Sequence, residues 1–335
     1  LPENQNEPQI DKDEEVGDRE SRIRDWVFTI IDQSDVEGVL GAVVDILKEE
    51  GLELDYIRAL SEVQPDAFIR TSAGSSKYSC CEVWGYGSEF NEQRARARLR
   101  SLAEERDVDL ALRTKAEYER PKRLFCFDMD STLIQGEVID ELAKLAGVGD
   151  QVVQITASAM RGEIDFAESF RRRVALLQGL SEARVLELLG RIPLLQGAER
   201  LFGTLHARGA KTAILSGGFT FFGHDVQRRL GIHHVHANVL DIQDGQVTGQ
   251  VRTEIVDGRR KAELLVEIAS REGIPLEEVV AVGDGANDLP MLRLAGLGVA
   301  FHAKPVVRAE ARVAITHVGL DGLLYLLGIP DREWV

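Results

Sequence analysis

From residue 26 onward the apolar and polar positions follow two periods, and the switches between them mark the elements. Residues 26–32 form an apolar, β-branched run that predicts a strand. Val39, Leu40, Val43, Val44 and Leu47 then recur at helical spacing, and Gly51 stands where glycine commonly ends a helix. Partial alternation over 52–60 predicts a half-buried strand, and a second strand spans 78–86 after polar residues running to Ser76. Residues 89–106 read as a helix and 108–113 as a short strand, giving the order βαββαβ in about 90 residues. The charged stretch 115–122, which contains Pro121, reads as a linker. Beyond it, short apolar runs at 124–127, 212–215, 279–282, 297–301 and 313–316 suit buried strands of a parallel sheet. Helical stretches separate them, the pattern of an α/β fold. Between residues 139 and 192 no strand is predicted, only helical stretches broken at Gly147, Gly162, Gly179 and Pro193, so this block reads as an inserted all-helical cap. Asp244-Gly245 between apolar flanks predicts a hairpin.

Charge narrows the function. Forty Lys+Arg against 56 Asp+Glu leave a net charge of −16, which repels nucleic-acid and membrane phosphates. An anionic substrate must therefore find a local positive pocket or a bound cation. Residues 1–21 carry eight acids, two bases and almost no large hydrophobics, and read as a disordered acidic tail. No apolar run reaches the ~18–20 residues of a membrane span. No secretory signal is legible, although a chain beginning at Leu1 leaves a removed leader open. Cys80, Cys81 and Cys126 make no disulfide framework, and the expected compartment is the cytoplasm.

Four segments carry the candidate chemistry. Asp128-Met129-Asp130 directly follows the strand 124–127, and ligands of open α/β sheets sit beyond the carboxyl ends of strands. Ser216-Gly217-Gly218 follows 212–215 and offers a hydroxyl and exposed N–H groups to phosphate oxygens. Lys261 lies near the start of a helix, and Gly283-Asp284-Gly285-Ala286-Asn287-Asp288 follows 279–282 with two carboxylates and an amide among small residues that let hard oxygen ligands converge on a cation. Each segment alone also fits an ordinary turn or a solvated surface. Gly218-Phe219-Thr220-Phe221-Phe222-Gly223 is followed by His224, so it is no P-loop, and neither Cys81 nor Cys126 has an arginine six residues on, as a cysteine-phosphatase loop requires. His233-His234-Val235-His236, placed at a helix-to-strand junction, reads as solvated rather than metal-binding.

Taken in this order the segments resemble the haloacid-dehalogenase-like (HAD) phosphatases over residues 123 to 327, and within them the phosphoserine phosphatases. Phe127-Asp128-Met129-Asp130-Ser131-Thr132 is similar to that family's nucleophile segment, and 166–174 resembles its substrate-binding helix. The resemblance implies an α/β fold, a HAD-like Rossmannoid parallel sheet with the cap at 139–192, occupying residues 123–335. It also implies Mg²⁺-dependent hydrolysis of phosphoserine through an aspartyl-phosphate. Asp128 is then the nucleophile and Asp130 the general acid/base, with Mg²⁺ held by Asp128, Asp130 and Asp284. Ser216, Gly217 and Lys261 would hold phosphate, Glu137 the substrate ammonium and Arg173 its carboxylate, with Asn287 orienting the site and Asp288 supporting it. Among three adjacent arginines, Arg173 is identified by the following Val174, with Arg172 the alternative. A related phosphatase or phosphotransferase acting on another small phosphomonoester is the nearest rival. Residues 22–114 resemble the ACT regulatory domain, with Asp35-Val36-Glu37-Gly38 as its ligand-facing turn; a generic α+β sandwich is the alternative. An amino-acid effector and a homodimer are implied by that resemblance alone.

Overall fold

The computed structural model describes residues 24–33, 36–61 and 78–335. The acidic tail, Asp35 and most of the polar stretch before Ser76 lie outside the described residues. The front of the chain folds as β1 (Arg24–Asp32), a helix Glu37–Glu49, β2 (Glu53–Ala59), β3 (Ser79–Gly87), a helix Glu92–Arg106 and β4 (Asp109–Thr114). The βαββαβ order read from the sequence is present, closed into an antiparallel sheet ordered β2-β3-β1-β4. Alternation along its strands splits the sheet between two cores. Ile30, Cys81 and Leu112 pack with the two front helices, while Ile31, Cys80 and Ala111 face the large core of the rest of the chain.

At the head of residues 115–122, Thr114 and Glu117 exchange side-chain-to-backbone bonds in a capping box that starts a short helix at Lys115–Glu119. From the helix Glu92–Arg106, Arg94 and Arg98 pair with buried Glu50 and tie the two front helices together, Arg96 pairs with Glu92 within its own helix, and Arg100 donates to the Ala309 carbonyl of the later domain.

The second sheet has six parallel strands in the order β12-β11-β10-β5-β6-β7, where β5 is Leu124–Phe127, β6 Lys211–Phe219, β7 His234–Asn238, β10 Val279–Gly283, β11 Leu297–Phe301 and β12 Val313–Ile315. The helix-to-strand junction read at residues 233–236 opens β7, a strand that stands outside the apolar runs of the sequence. Its polar His234 and His236 hide the apolar run, and His234 pairs with Glu272 while Thr212 holds His233. Strands β8 (Leu240–Gln243) and β9 (Gln246–Val251) form the expected hairpin, with Asp244 and Gly245 both at positive φ.

From β5 the chain winds first toward β6 and β7 and later returns to β10 on β5's other side. That reversal places a crevice beyond the carboxyl ends of β5, β6 and β10. Helices Val138–Ala146, Gly149–Met160, Phe166–Ala175 and Glu182–Leu186 make the cap, and Gly147, Gly162 and Gly179 break it at positive φ. The hairpin closes on the cap through Gly179, Leu180 and Glu182.

The front sheet is bolted to the later domain. The buried Asp109 carboxylate accepts N–H bonds from Thr316, His317 and Val318 at 2.7, 3.0 and 3.3 Å. Arg113 donates to Leu326 O and Thr29 Oγ1, and Tyr78 accepts from the Gly319 N–H. Among the described residues no helix is long and apolar enough to cross a membrane.

Candidate active site

Asp128 leaves the end of β5 with its N–H bonded to Val282 O of β10, so the sheet itself aims this residue into the crevice. Its Oδ1 accepts from Met129 N at 2.7 Å and lies 2.7 Å from Lys261 Nζ. Lys261, fully buried, sits 2.6 Å from Asp288 Oδ1 on its other side. Asp288 spends its second oxygen on the Gly285 N–H. Only glycine at 283 permits this approach, since a Cβ there would fall 2.5 Å from the Asp288 carboxylate. Asp284 accepts from the buried Thr132 hydroxyl at 3.2 Å. Nothing in the sequence beyond its place in the segment 127–132 distinguishes Thr132 as a partner of Asp284.

Burial pushes the Asp128 carboxyl well above its ordinary range, with Asp288 adding to the push and Lys261 opposing it. Asp284 is raised to about 6, by burial first and then by Asp288. Burial disfavours the Lys261 ammonium, but the two carboxylates beside it outweigh burial and raise its pKa. The centre therefore holds more negative charge than its lysine balances. Asp128, Asp284 and Asp288 each place a carboxylate oxygen within 4.8 Å of the others, all buried. Hard oxygens gathered so closely suit a divalent cation of the Mg²⁺ or Ca²⁺ type. Since both Asp288 oxygens are engaged by Lys261 and Gly285, Asp128 and Asp284 are the better-disposed pair, and Asp288 serves chiefly to seat the lysine.

Asp130 leads into a sharp turn in which Ser131 adopts φ 58°, and its Oδ1 accepts from Val138 N at 3.0 Å at the start of a cap helix. Burial raises its pKa to about 8, the Glu137 charge adding to this and the Val138 N–H working against it. Its Oδ2 lies against Gly218, where a Cβ would fall 2.6 Å away. The register of β6 against β7 shifts between Leu215 and Phe219, which frees Ser216-Gly217-Gly218 from the ladder. Ser216 Oγ accepts from Gly218 N at 2.9 Å. Asn238, at the end of β7, was missed by the sequence reading and is wholly buried; its amide donates to Gly217 O and accepts from Val256 N.

The cap supplies the outer wall. Phe166 lies over Gly217, 3.1 Å from where a Cβ would stand. The three arginines separate clearly. Arg171 and Arg172 are exposed, with Arg172 paired to Glu168 at 2.7 Å, whereas Arg173 is half-buried and bonds back to Ser169 O. Burial lowers the Arg173 pKa, and the charges of Glu137, Asp140 and Asp130 act in the opposite sense. Arg173 thus stands on the inward side of its helix, beside the buried Phe170 and Val174, and the Ser131 hydroxyl donates to Glu137 at 3.3 Å. Asn287 is the least engaged of the expected residues: its Oδ1 lies against the Gly285 backbone, and its carbonyl abuts Gly258 at the head of the Lys261 helix.

Comparison with known proteins agrees with this geometry. Residues 122–296 match the haloacid dehalogenase-like hydrolase family model. A phosphoserine phosphatase of Archaeoglobus fulgidus is 46% identical over 235 residues, covering 70% of this chain and 68% of that protein. A HAD family hydrolase from Salmonella enterica superposes over 91% of this chain and 98% of its own, with TM-score 0.77 and 30% identity. A phosphoserine phosphatase solved as a phospho-aspartyl intermediate analogue is 42% identical, covers 62% of this chain and 99% of its own, and gives TM-score 0.58. The chain belongs to the haloacid dehalogenase-like hydrolases and, within them, to the phosphoserine phosphatases.

Proposed function

We propose that the chain hydrolyses O-phospho-L-serine to L-serine and phosphate, the last step of serine biosynthesis, through an aspartyl-phosphate on Asp128. The carrying observation is the buried Asp128–Lys261–Asp288 array at the strand ends, with Arg173, on which the charges of Glu137 and Asp130 act, on the inward side of its cap helix. Asp128, Asp284 and the Asp130 backbone carbonyl would hold Mg²⁺, which when bound supplies positive charge against the repulsion between carboxylate and phosphate.

Asp128 attacks phosphorus through the carboxylate oxygen not bonded to Met129, and the bond from phosphorus to the serine oxygen breaks. Asp130, whose raised pKa of about 8 keeps a proton on it at neutral pH, gives that proton to the departing oxygen. It then takes a proton from the water that cleaves the aspartyl-phosphate, regenerating Asp128. Ser216, Gly217 and Lys261 hold the phosphoryl oxygens where charge builds up. Asp288 fixes Lys261, and Asn287 orients the loop around Gly285. Glu137 receives the substrate ammonium and Arg173 its carboxylate by a two-pronged contact. Phosphate release from a panel of phosphomonoesters with Mg²⁺ tests this reading. Phosphoserine should give the highest kcat/KM; a better small phosphomonoester, or transfer to an added alcohol, would replace the substrate assignment.

Arg173→Ala should raise KM for phosphoserine, at a cost on the order of 2–4 kcal/mol, and leave phosphoethanolamine, which lacks the carboxylate, comparatively unaffected. Arg172→Ala should change neither, because Arg172 is exposed and tied to Glu168. Equal losses on both substrates for Arg173→Ala would move the carboxylate contact elsewhere.

Residues 22–114 form, on this proposal, an ACT-like regulatory domain and 123–335 the phosphatase domain, in a cytoplasmic enzyme whose front domain takes an amino-acid effector and supports a homodimer. Gly38 has open space before it, as ligand approach to the backbone requires. Deleting residues 1–115 uncovers the core face met by Ile31, Leu60, Tyr78, Cys80 and Ala111. The truncated protein should keep its phosphatase activity with a lower thermal midpoint, and amino acids should inhibit it only competitively. Non-competitive inhibition surviving the deletion would remove the effector site from the front domain.

A further inference from the structure

We infer that Asn238 is a positioning residue for phosphoryl transfer, one side chain that sets both Ser216 and Lys261; this rests on the phosphatase reading above. The two phosphate-holding groups come from segments far apart in sequence, and neither segment is fixed by a regular ladder at the point that matters. Ser216-Gly217-Gly218 stands where the β6–β7 register slips, and residues 252–257 precede the Lys261 helix without regular secondary structure.

Asn238 bridges them from β7. Its Nδ2 donates to Gly217 O at 2.8 Å, and its Oδ1 accepts from Val256 N at 3.0 Å. Only one orientation of the amide satisfies both bonds, since a flip would set donor against donor and acceptor against acceptor. The first bond reaches Ser216 through the peptide plane. In a trans peptide the carbonyl of one residue and the N–H of the next point in opposite directions. Holding the Gly217 carbonyl toward Asn238 therefore aims the Gly218 N–H away from it, where it donates to Ser216 Oγ at 2.9 Å. That same plane keeps Gly218 against Asp130 Oδ2.

The second bond reaches Lys261. Val256 precedes Asp257, whose carboxylate caps the helix through Arg260 N at 2.8 Å and whose carbonyl accepts from Lys261 N at 2.9 Å. Asn238 is fully buried and its bond from Val256 N lies in the interior, so removing the amide strands buried polar groups. Asp225 and the neighbouring histidines are engaged elsewhere, with Arg228 and Glu272 among their partners.

The test uses the full chain with Asn238→Leu, which keeps the volume and removes both bonds, and Asn238→Asp, which keeps the acceptor for Val256 and loses the donor to Gly217. Turnover is measured with phosphoserine and with p-nitrophenyl phosphate, alongside inhibition by inorganic phosphate and by L-serine. Asn238→Leu should lower kcat by about 10- to 100-fold on both substrates, as expected for stranding buried polar groups. Inhibition by inorganic phosphate should weaken in parallel, while the L-serine inhibition constant stays within about twofold because Arg173 and Glu137 are untouched. Asn238→Asp should show the same split, and it carries the test if the leucine variant does not fold. A folded variant with a lowered thermal midpoint but unchanged phosphate inhibition and kcat would make Asn238 a structural residue only and overturn the inference. The p-nitrophenyl phosphate arm contains no serine, so a wrong substrate assignment leaves this outcome readable.

Discussion

Asp128→Asn is expected to reduce phosphoserine turnover by about four to six orders of magnitude while the protein stays folded. An amide is a poor nucleophile and a weaker cation ligand, so both parts of the mechanism fail together. The fold should survive because Asn keeps the shape and can still accept the Met129 N–H. Lys261 retains Asp288 at 2.6 Å, so its ammonium is not left buried without a partner. Removing one charge from a crowd that raises the pKa of Asp128 and Asp284 also relieves repulsion. Phosphate release and a thermal melt on the same preparation check both halves. A fluoride of beryllium should trap wild type at this position and leave the variant unmodified. Turnover within tenfold of wild type would falsify the nucleophile assignment.

Asp130→Asn should fail differently, and the difference lies between substrates. Asn can still accept the Val138 N–H, so the turn and the cap helix are preserved. What is lost is the proton for the leaving group and the base for water. For phosphoserine, whose leaving alkoxide is strongly basic, kcat/KM should fall by about 10²–10⁴-fold. For p-nitrophenyl phosphate, whose phenolate leaves unaided, kcat/KM should stay within about tenfold, since that ratio reports only the steps up to departure. Steady-state kcat should fall on both because the water step lacks its base, and a burst of nitrophenolate should precede slow turnover. Equal falls in kcat/KM across leaving groups would remove the acid role.

Much of this site was legible because its chemistry is local. Asp128, Ser216 and Asp284 each follow a short apolar run, and buried parallel strands require such runs; the reversal of strand order then gathers the three ends. Arg173 could be chosen over Arg172 by sequence resemblance alone, and the physical reason is helical: Val174 and Phe170 are buried, and Arg173 lies beside that stripe while Arg172 does not. Asn238 was not legible, since its partners Gly217 and Val256 lie 21 and 18 residues away and no local pattern distinguishes it from any polar residue ending a strand. Strand β7 was legible only as a junction for a related reason, because Thr212 and Glu272 satisfy His233 and His234 where a periodicity would show only polar residues. The short helix at Lys115–Glu119 was not legible because its capping box, Thr114 with Glu117, is set in a charged stretch that runs to Pro121. The tie between the front sheet and the later domain was equally invisible, since Asp109 meets Thr316, His317 and Val318 across some two hundred residues.

The central claim is a covalent aspartyl-phosphate formed from phosphoserine, and one measurement reaches it without a variant. The enzyme is mixed with Mg²⁺ and phosphoserine, quenched in acid within a turnover, digested and mapped by mass spectrometry. The account predicts one acid-stable, hydroxylamine-labile phosphoryl group on the peptide bearing Asp128, appearing as fast as serine is released. Phosphate on any other residue, or serine released in a burst with no phosphorylated peptide, would contradict it.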